Sequence, residues 1–131
     1  MPMAFLRGLV VDDSAQVRKM LTSALGRQGI RTLEAGSGVE ALELARTSEI
    51  DFVVTDLEMP GMDGIELCRQ LRRLTVTSTV PIVVVTGAHT QAEEATAAGC
   101  DVVLPKPCSP ALLLATIQRL LVKSARSTDT Q

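Results

Sequence analysis

Asp12 and Asp13 close the apolar run Leu6-Arg7-Gly8-Leu9-Val10-Val11, and Asp56 follows Asp51-Phe52-Val53-Val54-Thr55. Thr86 ends Pro81-Ile82-Val83-Val84-Val85, and Lys106 follows Asp101-Val102-Val103-Leu104-Pro105. Three acids, a hydroxyl and a charged amine are the parts needed to hold a divalent cation beside a carboxylate that accepts a phosphoryl group. Singly, each residue has an ordinary explanation: an Asp after a strand is usually a turn or cap residue, and Thr suits strands. Asp12 beside Asp13 is harder to dismiss, because like charges at close range cost stability unless a cation neutralises them. Asp56 ends an otherwise apolar segment, where a buried charge needs a partner. Lys106 lies between Pro105 and Pro107, which restricts its backbone and fixes its direction.

These residues need elements to position them, and strand-like and helix-like segments alternate along the chain. Leu6–Val11 is a short β-rich run, and Ser14 is placed to cap a helix in which Val17, Met20, Leu21, Ala24 and Leu25 recur at helical spacing up to Gly29. Ile30–Glu34 is a second strand. Ser37 opens a helix carrying Val39, Leu42 and Ala45, with Glu40 completing a capping-box pattern. Asp51–Thr55 is the third strand, and Gly61-Met62-Asp63-Gly64 breaks before a helix through Leu74. Val80–Val85 reads as a strand buried on both faces. A short helix around Gln91–Ala98 stops at Gly99, Val102–Leu104 is the fifth strand, and Ser109–Val122 the last helix.

Five such units predict an α/β fold: a doubly wound five-stranded parallel sheet with helices on both faces. Ligands of such sheets sit beyond the carboxyl ends of the strands. Asp12, Asp13, Asp56, Thr86 and Lys106 all fall on that one edge.

Composition narrows the classes. The chain has 131 residues, enough for one domain, and 46% of them are apolar. Phe5 and Phe52 are its only aromatics, so the core is built from aliphatic side chains. Thirteen basic and 15 acidic side chains give a net charge of −2 with no Lys/Arg block, which argues against direct nucleic-acid binding. No apolar stretch approaches the roughly 20 residues that span a bilayer, and Met1–Phe5 show no export signal. Cys68, Cys100 and Cys108 lack the spacing of zinc or redox sites and read as free thiols in a reducing compartment, so the expected location is the cytoplasm.

The segments V-V-D-D-S, V-V-T-D-L-E-M-P-G-M-D-G, V-V-V-T-G-A and V-L-P-K-P together resemble the receiver domain of two-component response regulators, over residues 5–122. The resemblance implies a flavodoxin-like strand order. It also implies that Asp56 accepts a phosphoryl group from a phosphohistidine of a histidine kinase or phosphotransfer protein. Mg²⁺ would be held by Asp13 directly, by Asp12 through water, by Asp56 and by the backbone carbonyl of Glu58. Lys106 and Thr86 would contact the phosphoryl oxygens, and Pro60, Gly61 and Gly64 would shape the loop beyond Asp56. Such a protein catalyses only its own phosphorylation and dephosphorylation and is not otherwise an enzyme. A phosphatase of the haloacid dehalogenase type uses similar groups, but its nucleophile leads the chain and its acidic pair comes last, the reverse of this order.

Departures from the family pattern set further expectations. Three residues before the Lys the family usually has an aromatic side chain, and here that residue is Val103. The signal is expected to pass through the backbone of residues 87–90 and the helix after them. The alternative is a receiver-like interaction module that no longer switches through an aromatic residue. The interval from Thr86 to Lys106 is short, so the fourth helix, rich in Ala, is expected to be short or loosely packed. Glu58 is read as tuning the lifetime of the phosphoryl group, by repelling hydroxide, holding a water or pairing with a base. Leu113, Ile117, Leu120 and Leu121 form the core stripe of the last helix. Leu112 and Val122 lie off it, as scattered surface residues or as part of a homodimer or partner face. Residues 1–123 are read as the receiver and 124–131 as a polar tail or linker, consistent with a single-domain regulator or with a fused effector domain. The output protein, like the kinase, is not named by the sequence.

Overall fold

The computed structural model of the protein describes residues 6–87 and 89–129. Met1–Phe5, where no export signal is read, and the tip of the tail lie outside them. Strands and helices alternate as β1 (Arg7–Val11), α1 (Ala15–Gly26), β2 (Arg31–Ala35), α2 (Gly38–Thr47), β3 (Phe52–Thr55), α3 (Gly64–Arg73), β4 (Ile82–Thr86), α4 (Ala92–Ala98), β5 (Val102–Pro105) and α5 (Pro110–Asp129). All strand pairs are parallel, in the order β2-β1-β3-β4-β5. The expected doubly wound, flavodoxin-like sheet is thus formed. The chain changes direction between β1 and β3, whose carboxyl ends carry Asp12 and Asp56.

Alternation along the strands builds two cores, one on each face of the sheet. Leu9, Val11, Val53, Ile82 and Val84 pack with Ala41, Leu42 and Ala45 of α2, Leu67, Cys68 and Leu71 of α3, and Ala95 of α4. Val10, Phe52, Val54, Val83 and Val85 pack with Leu25 of α1 and with Leu113 and Ile117 of α5. Phe52 is fully buried, and a Cβ on Gly8, its neighbour in register, would overlap its ring. The near absence of rings leaves aliphatic side chains to fill both layers.

Local signals fix where the helices begin. Ser14 Oγ accepts the Val17 N–H at 3.2 Å, and Ser37 Oγ accepts Glu40 N–H at 3.2 Å. The Glu40 carboxylate reaches back to Gly36 N–H at 2.7 Å, one residue earlier than a capping box closes. Asp63 caps α3 through the Glu66 N–H at 2.9 Å. Gly99, with φ +117°, ends α4.

Most boundaries shift by a few residues, α1 ending at Gly26 before Gly29 and β2 running one residue later than expected, and three of the differences have a plain cause. Asp51 stands outside β3: its carboxylate accepts the Arg7 N–H at 2.8 Å, so it serves β1 from the side. β4 starts at Ile82 because Pro81 has no N–H to donate, while the carbonyl of Val80 is taken by Arg72. Helix α5 continues past Val122 to Asp129, since neither Gly nor Pro interrupts residues 111–129 even though the apolar pattern has ended. Within it Leu113 and Ile117 are buried, Leu120 and Leu121 half-buried against the core, and Leu112 and Val122 exposed. Helix α4 is short, as expected.

Candidate functional site

The site begins where β1 ends. Asp12 is 2% exposed although charged, and Asp13 beside it faces solvent. Asp12 Oδ1 accepts Ser14 N–H at 2.9 Å, an Asx turn that leads into the Ser14 cap of α1. The Asp12 N–H donates to the Ala35 carbonyl at 3.1 Å, and its own carbonyl accepts Nη1 of Arg18 at 2.6 Å.

At the end of β3, Asp56 is 8% exposed. Its Oδ1 accepts Leu57 N–H at 2.7 Å and, weakly, Glu58 N–H at 3.4 Å. The Thr55 hydroxyl donates to the Asp56 carbonyl at 2.8 Å. Helix α3 starts immediately over this turn: Gly64 N–H donates to the Leu57 carbonyl at 2.9 Å, and a Cβ at Gly64 would overlap the Asp56 carbonyl. Gly64 is required by this close approach, and Gly61, at φ +78°, by its left-handed backbone. Met59 is buried, while the Glu58 side chain is exposed and stands apart from the acid group.

Lys106 closes the site from β5. Its Nζ lies 2.9 Å from Asp56 Oδ2 and 3.2 Å from Asp12 Oδ2. Partial burial works against its ammonium, but the hydrogen bonds to Asp56 and Asp12 outweigh that, and its pKa is raised. The Lys106 N–H donates to the Thr86 carbonyl at 3.0 Å, which ties the strand ends of β4 and β5 together. Thr86 is fully buried and pairs in register with Pro105. The peptide between Lys106 and Pro107 is cis. Val103, at the position where the family usually has a ring, is a half-buried neighbour of Val84 packed on the α3 side of the sheet.

The fold therefore gathers Asp12, Asp13, Asp56 and Lys106 and sets Thr86 on the neighbouring strand end. Carboxylate oxygens of the three acids lie within 4.8 Å of one another. An all-oxygen, three-carboxylate donor set, open to solvent on the Asp13 side, fits Mg²⁺, which keeps several waters and takes few protein ligands. Arg18 was not singled out in the sequence. The available signal was its place in line with Leu21 and Leu25 on α1, a charge on the edge of a core-facing stripe.

The family model "Response regulator receiver domain" matches residues 9–118. The chain belongs to this family. The receiver domain is 40% identical over 122 residues to the response regulator MprA of Mycobacterium sp. (strain KMS), covering 92% of this chain and 52% of that protein. It thus spans about half the length of the curated relatives it matches. Among solved structures, it resembles the Vibrio cholerae chemotaxis protein CheY4, with a TM-score of 0.83 and 32% identity over 88% of this chain and 98% of that one. The receiver domain of the sensor histidine kinase PA1611 from Pseudomonas aeruginosa PAO1 gives a TM-score of 0.83 at 26% identity, covering 88% of this chain and 97% of that one. It has a magnesium ion coordinated in its active site cleft.

Proposed function

We propose that this receiver domain accepts a phosphoryl group on Asp56 from the phosphohistidine of a histidine kinase or phosphotransfer protein, in a Mg²⁺-dependent step. The observation that carries the reading is Lys106 Nζ lying between Asp56 Oδ2 and Asp12 Oδ2 at 2.9 and 3.2 Å, beside the three-carboxylate group. An Asp56 oxygen forms the new O–P bond as the N–P bond of the donor breaks, and the imidazole nitrogen keeps the electron pair. The carboxylate is already an anion, so the chain needs no general base. The residues that would hold Mg²⁺ are Asp12, Asp13, Asp56 and the backbone carbonyl of Glu58. When bound, the ion supplies positive charge against the transferring phosphoryl oxygens, where most catalysis of such transfer resides. Lys106 supplies the same from the β5 side, and its raised pKa keeps it charged throughout the neutral range. Thr86, at the next strand end, donates to the phosphoryl group once it has arrived. Glu58, exposed at the mouth, tunes how long the group survives; unchanged dephosphorylation in both Glu58→Asn and Glu58→Ala would remove that role.

Phosphorylation then switches contacts with an output protein, or with an effector domain fused to residues 1–123 through 124–131, in the cytoplasm. Among the described residues no helix is long and apolar enough to cross a membrane. Leu112 and Val122, 46% and 54% exposed on α5, offer a face for a homodimer through the last helices. With Val103 in place of a ring, the change passes through the backbone of residues 87–90, of which residue 88 lies outside those described. The second reading, an interaction module that does not switch, rests on the same Val103, a small side chain packed against the core. Acetyl phosphate with Mg²⁺ separates the two: an adduct on Asp56 supports the phosphoacceptor, and its absence supports the inert module. Amide shifts on adding beryllofluoride that spread from residue 87 into α4 would support the backbone route, and shifts confined to the acid group would refute it.

A further inference from the structure

We propose that Arg18 is a positioning residue for the acid pair, setting the direction of Asp13 through the peptide that joins it to Asp12; this rests on the phosphoacceptor reading above. Three observations converge. The Arg18 Nη1 donates to the Asp12 carbonyl at 2.6 Å, a short charge-assisted bond to the one peptide group shared by both acids. Its Nε is held by Glu34 Oε1 at 3.2 Å, so the guanidinium is anchored from β2. The side chain is only 19% exposed, and its Nη1 lies beside Gly36, where a Cβ would come within 3.3 Å of it and press on the fork.

The consequence follows from covalent geometry. A peptide group is planar, so fixing the Asp12 carbonyl fixes the plane that leads into the N–H and Cα of Asp13. The other end of Asp12 is already held, its N–H by the Ala35 carbonyl at 3.1 Å and its Oδ1 by Ser14 N–H at 2.9 Å. Asp13 is the exposed member of the trio and has no core packing to aim it. Arg18 aims it from beneath. Glu34 completes the arrangement by neutralising the guanidinium, so the anchor adds little positive field where a cation is to bind.

Arg18→Ala separates this role from a field effect by sign. Taking a positive charge away from an acidic site would by itself tighten cation binding. Losing the aim of Asp13 weakens it, by roughly tenfold if Arg18 behaves as outer-shell partners of metal ligands do. Calorimetric titration with MgCl₂ reads the difference without any phosphoryl chemistry. The expected result is a Kd raised about tenfold in Arg18→Ala and by less in Arg18→Lys, which keeps the charge but loses the fork. A Kd in Arg18→Ala equal to or below that of the wild type overturns the proposal, even if its Tm falls, since a merely structural arginine would alter only stability. Should Arg18→Ala fail to fold, Arg18→Lys and Gly36→Ala decide: weaker Mg²⁺ binding in both supports the role, and wild-type binding in both refutes it. A wild-type chain that takes up no Mg²⁺ and forms no adduct with acetyl phosphate would instead overturn the underlying function, and this proposal with it.

Discussion

Asp51 and Asp101 stand just before β3 and β5 at the amino ends of the strands, while Asp12 and Asp56 stand just after β1 and β3 at the carboxyl ends. Asp51 accepts the Arg7 N–H at 2.8 Å, and Asp101 Oδ2 accepts the Ile82 N–H at 2.8 Å and Nη2 of Arg72 at 3.0 Å. Arg72 also donates to the carbonyls of Gly99, Thr77 and Val80 at 2.9, 3.0 and 2.7 Å. At this pole Asp101 meets Arg72, whose remaining donors go to backbone carbonyls, and Asp51 is held by a backbone N–H. At the other pole three carboxylates cluster, and one ammonium pairs with the two that are buried. A balanced charge group stabilises the chain ends around it. An unbalanced one is costly in isolation and becomes favourable when a cation arrives. The acids at the amino ends are answered by backbone N–H groups and an arginine, whereas those at the carboxyl ends outnumber the one ammonium that meets them.

The largest effect that tests this contrast is all-or-none. Asp56→Asn is expected to abolish the acetyl phosphate adduct seen by intact-protein mass spectrometry, whereas Asp101→Asn keeps it. An adduct lost in Asp101→Asn with the fold intact would erase the distinction between the poles. Next, Arg72→Ala removes the donor shared by the carbonyls of Gly99, Thr77, Ser78 and Val80, leaves Asp101 only its Ile82 N–H, and should lower unfolding free energy by about 3 kcal/mol in urea titrations. Its adduct should still form.

A smaller effect sharpens the imbalance itself. Saturating Mg²⁺, about 100 times its Kd, should stabilise the wild type by about 2.7 kcal/mol. Asp13→Asn should lose most of that increment and Arg72→Ala should retain it, as read from thermal unfolding with and without MgCl₂. Equal increments in all three would place the ion elsewhere.

The smallest effect is absent at neutral pH. Burial pushes the Cys68 thiol, one helical turn from Arg72, up to about 12. Its folded pKa exceeds the unfolded value of about 8.5, so the stability it contributes is complete below that value and is lost as pH rises toward about 12. Urea midpoints measured across this window should fall less steeply in Cys68→Ala than in the wild type, while at pH 7 the two slopes coincide. Burial raises all three thiols, so alkylation should follow exposure and at pH 8 reach the half-buried Cys108 before the buried Cys68 and Cys100.

Much of this was legible in the sequence because the relevant signals are local. Val53, Val54, Val83, Val84 and Val85 announce strands buried on both faces, and chain order alone puts Asp12, Asp56, Thr86 and Lys106 on one edge of a parallel sheet. What escaped depends on distance along the chain. Asp51 and Asp56 are the same residue type five positions apart, and only the pairing of β3 with β1 shows that one serves a backbone N–H while the other meets Lys106 from β5. Arg72 acquires its role from Gly99, Val80 and Asp101, which no helical spacing links to it. Arg18 was overlooked because its partners are a backbone carbonyl, invisible in sequence, and Glu34 on another strand. The extension of α5 to Asp129 reflects helix propensity outlasting the apolar pattern by which the helix was recognised.

The prolines flanking Lys106 have a consequence even when no signal passes. Among the described residues β5 pairs only with β4, so its other side is an edge on which a second chain could add a strand. Lys106 turns its N–H inward to Thr86, and strand geometry then turns the residue before it outward. That residue is Pro105, which has no N–H to offer and leaves a foreign strand one hydrogen bond short at the end of the edge. The opposite edge, β2, carries the charged Arg31 and Glu34. Both borders of the sheet are thereby poor templates for edge-to-edge aggregation.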